Sequence, residues 1–149
     1  MNNDEYFMEK ALELAEQAKE ANEIPVGAVI VKDNVIIASA CNRKDSERVV
    51  TRHAELIAIE KASKVLNDWR LNDCKIYVTM EPCPMCASAI QQARFAEIIY
   101  GCSSNIEVNT KIIKNILNNN EFNHKVNIKG PILNEKCSNI IKSFFKTKR

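Results

Sequence analysis

Two short apolar runs, residues 76–79 and 97–100, flank a segment, 85–95, whose apolar residues keep helical spacing. This alternation restricts the fold more than any other feature of the chain, because strand, helix and strand in such quick succession read as a crossover that lays two strands parallel. The flanking segments extend the same layering. Residues 4–22 place Phe7, Ala11, Leu14 and Ala18 at helical intervals, and Pro25 ends that pattern. The runs 26–31 and 35–38, joined by Lys32-Asp33-Asn34, predict a hairpin. After the polar stretch 42–52, residues 53–66 return to helical spacing through Ala54, Ile57, Ala58 and Ala62, so a helix is expected to begin at His53. Beyond Gly101 the pattern predicts a helix over 106–117, a loop at Asn118-Asn119-Asn120, a last strand over 125–128 and a closing helix over 134–145. Strands interleaved with helices imply a layered α/β fold, partly parallel, with helices on both faces of the sheet. A chain of 149 residues supports one core, so residues 1–149 are read as a single domain.

No apolar run approaches the roughly 20 residues of a membrane span, and the polar, acidic start is unlike the basic start of a signal peptide. A cytoplasmic protein without a membrane partner is the expectation. Six cysteines include Cys83 and Cys86 in a C-x-x-C pair, while Cys41, Cys74, Cys102 and Cys137 stand singly in apolar surroundings. In a reducing compartment this pattern points to metal or redox chemistry rather than disulfides. The net charge of +2 conceals an asymmetry. Residues 1–23 hold seven acids and two bases, whereas residues 125–149 hold seven bases and one acid. Such a basic end suits a polyanion or a solvated helix face.

Chemistry concentrates in two places, His53-Ala54-Glu55 and Pro82-Cys83-Pro84-Met85-Cys86, each at an expected helix start. Zinc takes thiolate and imidazole ligands, and a catalytic site uses three of them so that water fills the fourth position. Cys83 and Cys86 on a first helical turn can face one point, where the free N–H groups and the positive dipole end favour thiolate. His53 supplies a third ligand. A closed, purely structural site would need Cys41, Cys74, Cys102 or Cys137 as a fourth. Glu55 is left to move protons for a zinc-activated water, and the backbone N–H groups near Ala54 and Cys83 can stabilise a developing tetrahedral centre.

H-x-E with P-C-x-x-C is the signature of zinc nucleobase deaminases. Residues 22–29 (Asn22-Glu23-Ile24-Pro25-Val26-Gly27-Ala28-Val29), Asn42, His53-Ala54-Glu55, residues 77–86 and Phe144-Phe145 with their basic neighbours together resemble the bacterial tRNA adenosine deaminase family along nearly the whole chain. That resemblance implies a three-layer α/β/α cytidine-deaminase-like fold with a central mixed sheet, and one zinc ion per subunit of a homodimer. It implies hydrolytic conversion of adenosine to inosine at wobble position 34, in the anticodon loop of a tRNA. It also implies that Asn42 contacts a flipped nucleoside, that Pro25 and Val26 line its pocket, and that Phe144, Phe145, Lys146, Lys148 and Arg149 meet RNA through stacking and phosphate contacts. At most one of the two adjacent phenylalanines can point outward.

One segment departs from the family. Where it carries an Asp- and Gly-rich stretch after Tyr100-Gly101, residues 102–109 here contain neither residue type, and Ser104 stands at the usual aspartate position. Two other readings therefore stay open. One is deamination of a free base or nucleoside such as cytosine, guanine or cytidine. The other is a non-catalytic RNA-binding module with structural zinc.

Overall fold

The computed structural model describes residues 2–103 and 107–148, the side chains of residues 107 and 108 excepted. Helix α1 (Asn3–Glu20) starts where the Asn2 side chain accepts from the Glu5 N–H at 2.8 Å, with Asp4 and Glu5 in the first turn, where the helix dipole favours acids. It ends before residue 22, because Asn22 turns the chain with a φ of 63°. Strands β1 (Gly27–Lys32) and β2 (Val35–Cys41) form the expected hairpin. Its two turn residues, Asp33 and Asn34, both take positive φ, as a tight turn matched to the strand twist requires. A short helix, α2 (Lys44–Glu47), interrupts the polar stretch that sequence periodicity left without structure. Helix α3 (Ala54–Leu66) begins one residue later than expected, with His53 as its N-cap.

Strand β3 (Cys74–Met80), helix α4 (Pro84–Gln92) and strand β4 (Glu97–Cys102) make the crossover, and β3 and β4 run parallel as the spacing predicts. Helix α4 stops short of residue 95 because Arg94 adopts a φ of 68°, which reverses the chain. Helix α5 (Glu107–Asn118) leads by a second parallel crossover to β5 (Asn127–Lys129), and α6 (Asn134–Thr147) ends the fold. Among the described residues the strands form one mixed sheet in the order β2-β1-β3-β4-β5.

Strand alternation distributes the core between two faces. Ala28, Ile30, Ile76, Val78 and Ile98 pack with α3, α4 and α5, while Val29, Val31, Tyr77 and Ile99 pack with α1 and α6. The result is the three-layer α/β/α arrangement. Two glycines permit close approach on the α1 and α6 face: a Cβ at Gly27 would stand 2.0 Å from the Ala11 carbonyl oxygen, and one at Gly101 would stand 2.3 Å from Cys137 Sγ. All six cysteines are free, and among the described residues no helix is long and apolar enough to cross a membrane.

A polar clamp fastens the start of α1 to the sheet. The buried Tyr77 hydroxyl donates to Asp4 Oδ1 at 2.6 Å, and Lys129 Nζ on β5 meets Asp4 Oδ2 at 2.5 Å. Burial pushes the Asp4 carboxyl upward, but the hydrogen bonds from Lys129 and Tyr77 outweigh it and hold the group below its ordinary 3.8. A carboxylate with a depressed folded pKa stabilises the fold above its unfolded pKa and loses that contribution as pH falls through the folded value. Tyr77→Phe is therefore expected to cost about 1–2 kcal/mol in urea unfolding at neutral pH. The gap from the parent protein should shrink as the titration is carried below pH 3.8; a gap that stays constant with pH would assign the loss to packing alone.

Candidate metal centre and substrate pocket

The crossover sets the start of α4 beside the start of α3, at the carboxyl end of β3. This is where open α/β sheets form their clefts. Each helix opens on a residue with extended backbone, His53 (φ −81°, ψ 148°) and Cys83 (φ −76°, ψ 169°). An N-cap side chain ordinarily turns back to bond the first turn, which is why Ser, Thr, Asn and Asp prevail there. His53 and Cys83 are not capping types, and their side chains face the gap between the helices, the Cys83 sulfur lying near the first-turn N–H groups of Met85 and Cys86. Pro84 fits the first helical position because the N–H it lacks would have had no helical partner. One turn on, Cys86 returns to the same side.

The three ligating atoms converge. His53 Nδ1 lies 3.7 Å from Cys83 Sγ and 3.4 Å from Cys86 Sγ, and all three atoms fall within 4.8 Å of one another. Tetrahedral zinc, with Zn–S near 2.3 Å and Zn–N near 2.0–2.1 Å, separates such atoms by about 3.5–3.8 Å, so the donor set and its spacing fit zinc. Among the described residues the group has three members, and Cys41, Cys74, Cys102 and Cys137 lie outside it.

The electrostatics of the group follow from its burial and from the proton shared between its two thiols. The Cys83 thiol is brought down to about 5 by the hydrogen bond from Cys86, against its burial, with help from the backbone N–H groups of Cys86 and Met85 and from His53. Cys86 is driven far upward by holding that shared proton and by its burial. Glu55, only 4% exposed, lies alongside, and its carboxyl is pushed up to about 7 by burial and by the negative charge of Cys83.

A cleft of about 200 Å³ opens over the centre, lined by Ile24, Val26, Asn42, Lys44, His53, Glu55, Met80, Glu81 and Cys83. That is smaller than the ~300–1,000 Å³ of pockets for drug-sized ligands, and suits a single small ring system. A larger cleft of about 530 Å³ between α1 and α6 lies away from these ligands.

The sequence candidates divide here. His53, Glu55, Cys83 and Cys86 come together, with Asn42 and Val26 on the lining. Pro25 is buried behind the wall, and Ile24 takes the lining position instead. The Ala54 side chain is fully buried in the core, leaving its backbone at the helix start. Phe144 is buried, so the outward aromatic is Phe145, 46% exposed beside Lys146. The Lys148 ammonium sits over the Phe144 ring and donates to Asn22 Oδ1, which brings the end of α6 to the loop leading into the pocket. Ser104 and Arg149 lie outside the described residues.

Sequence reasoning missed two buried carboxylates. Glu81, on the pocket wall, accepts from Asn109 Nδ2 at 3.1 Å and from Thr110 Oγ1 at 3.1 and 3.2 Å, joining the end of β3 to the start of α5. Glu23 accepts from two backbone N–H groups of α2. Both lie within quoted motif stretches, but their partners are remote in sequence and no local pattern could have announced them.

Residues 1–102 match the family model of the cytidine and deoxycytidylate deaminase zinc-binding region. A protein named tRNA-specific adenosine deaminase in Bacillus subtilis (strain 168) is 36% identical over 149 residues, covering 100% of this chain and 92% of its own. A solved structure from work on A-to-I editing by tRNA:A34 deaminases at the wobble position superposes with a TM-score of 0.81 at 33% identity, covering 91% of this chain and 98% of that one. A guanine deaminase structure from Bacillus subtilis is 45% identical but covers 69% of this chain and 66% of its own, with a TM-score of 0.65.

The metal reading has a direct consequence. The purified chain is expected to carry zinc by elemental analysis, and Cys86→Ser to carry much less while keeping its far-ultraviolet circular dichroism. Chelation should lower the melting temperature, since a metal bound to the folded state alone stabilises it. Full zinc content in both Cys86→Ser and His53→Ala would rule out this ligand set.

Proposed function

Because this chain belongs to the cytidine and deoxycytidylate deaminase family and has its three-layer fold, we propose that it converts adenosine to inosine at the wobble position of tRNA by hydrolytic deamination. The observation that carries the reading is the His53, Cys83 and Cys86 triangle with the buried Glu55 beside it, on a chain that tRNA-specific adenosine deaminases match from end to end. His53, Cys83 and Cys86 would hold one zinc ion per chain. When bound, the ion supplies Lewis acidity that brings the pKa of a coordinated water down to about 7.

Glu55 moves the protons. Its buried carboxyl lines the cleft beside the ligand group, where it can both accept and give a proton, as a group that must act twice requires. It takes a proton from the attacking water and delivers one to the ring nitrogen beside the amine-bearing carbon. It then takes the second proton from the hydroxyl newly bonded to that carbon and delivers it to the amine, which leaves as ammonia. Backbone N–H groups at the starts of α3 and α4, that of Ala54 among them, favour the negative charge that develops there. Asn42 and Val26, which line the cleft, orient the base.

The RNA surface runs from this cleft to the end of α6. The exposed Phe145, Lys146 and Lys148 combine a stacking face with phosphate-binding cations, and Lys148 reaches the loop at Asn22. We read the working form as a cytoplasmic homodimer whose second copy completes the RNA site. Exposed Val65 (61%) and Trp69 (55%) at the end of α3 give such a partner apolar surface to cover.

The test is ammonia release and product mass, with an adenosine-34 anticodon stem-loop offered beside free guanine, cytosine, adenosine and cytidine. Inosine formed in the stem-loop is the expected result, and Glu55→Gln should lower kcat about 10²–10⁴-fold without loss of zinc. The guanine deaminase likeness makes one other outcome specific. Turnover of a free base with no reaction on the stem-loop would overturn the tRNA assignment and leave the proton chemistry intact. On the stem-loop, Lys146→Ala is expected to raise KM and to flatten its dependence on salt, as the loss of a phosphate contact does.

A further inference from the structure

We propose that Glu23 is a positioning residue for the substrate pocket, its buried carboxylate stapling the loop 43–52 to the turn after α1 and so setting the wall on which the base rests. Glu23 is 1% exposed, although it touches none of the three zinc-ligand side chains. Its Oε1 accepts from the Asp45 N–H at 3.1 Å and its Oε2 from the Ser46 N–H at 2.5 Å. These are the second and third N–H groups of α2, which a capping side chain would ordinarily satisfy. The cap residue itself, Arg43, makes no such bond. Glu23 is thus a cap delivered from across the pocket.

Apart from this staple, the loop is closed at its base by one backbone bond, from the Arg43 N–H to the Arg52 carbonyl at 2.9 Å. None of the residues of α2 is buried, and residues 45–51 are all exposed. A four-residue helix has no stability of its own. The ion pairs of Arg52 with Glu47 and Glu60 lie at the surface, where such pairs contribute little. Glu23, by contrast, is fixed to the body of the protein, since its N–H donates to the Ala18 carbonyl at the end of α1 at 2.8 Å. Burial pushes its carboxyl upward, yet the bonds from Ser46 and Asp45, with Arg43 nearby, hold it below the ordinary carboxylate value.

What the staple joins is the pocket itself. Ile24 and Val26 follow Glu23 directly and line one part of the wall, while Asn42 and Lys44 flank the start of α2 and line the next. The two segments are otherwise joined by the backbone bond from the Asn42 N–H to the Val26 carbonyl at 3.1 Å, which extends the β1–β2 ladder beyond the Gly27 and Cys41 pair. The ligands and Glu55 stand on α3 and α4, outside the stapled unit. Loss of the carboxylate should therefore loosen where the base sits without disturbing where protons and metal sit.

This inference rests on the cleft being the substrate site, so its test has an arm that needs no substrate. In limited trypsin digestion below the melting temperature, Glu23→Ala is expected to be cut faster at Arg43, Lys44 or Arg48, with cutting elsewhere unchanged. On the stem-loop, KM should rise about tenfold while kcat stays within about twofold, because apparent affinity falls with the fraction of molecules whose wall is in place. Zinc content should match the parent. Glu23→Gln, which keeps one acceptor oxygen, should fall between the two and carries the test if the alanine variant does not fold. An unchanged cutting rate in this loop, or a fall in kcat that tracks zinc loss at constant KM, would overturn the staple. If the parent enzyme leaves the stem-loop untouched, the tRNA assignment fails, and the trypsin arm still decides the role of Glu23.

Discussion

The convergence of two helix N-termini on one point underlies the site, and the parallel crossover produces it. Because β3 and β4 run in the same direction, α4 must start at the carboxyl end of β3, and the start of α3 meets it there. Two positive dipole ends and two sets of first-turn N–H groups then face a common space, which favours thiolate and anionic chemistry before any ligand is considered. Placing His53 and Cys83 at the caps turns a position that normally closes a helix into one that offers a ligand. The metal centre is in this sense a property of the helix starts, and the rest of the sheet keeps those starts in register.

The same geometry explains how a carboxylic acid can be kept in the interior. Glu55 is two residues beyond the cap, so it lies in the first turn of α3 and points along the wall that the core also uses. Burial beside the negative Cys83 brings its carboxyl to about 7, and the helix start limits the cost of charge when the proton leaves. One turn of helix therefore contributes both to the candidate metal site and to the carboxyl proposed to move protons, and neither needs a long side chain to reach the other.

How legible this was from sequence depended on the range of the interaction. The crossover, the hairpin and the convergence of His53, Cys83 and Cys86 were readable because each is encoded within a few residues, by period, by turn residues or by a motif at a helix start. The boundaries that slipped, at residues 22, 53 and 95, are places where a residue in the left-handed region or a cap decides the end, and periodicity carries no record of either. Helix α2 was invisible because it has no buried face and depends on Glu23, a residue about twenty positions away. Phe144 and Phe145 could not be told apart in sequence, since only the packing of α6 on the sheet decides which of two adjacent aromatics is covered.

Chemistry and specificity are consequently built from different materials. The groups proposed to move protons and bind metal stand at the starts of α3 and α4, supported by the core on the sheet, whereas the base would rest against loop residues held by buried carboxylates. Glu23 secures one wall by bonding α2. Glu81 secures another by accepting from Asn109 and Thr110 at the start of α5. The departure from the family pattern after Gly101 runs up to Asn109, and its end is tied to the pocket through Glu81. A change of sequence there can reshape the wall, because Glu81 is bonded to α5 on one side and continues into Pro82 and Cys83 on the other. The likeness to both a tRNA:A34 deaminase structure and a guanine deaminase structure is compatible with such a division, since one fold can carry different walls around a common cleft.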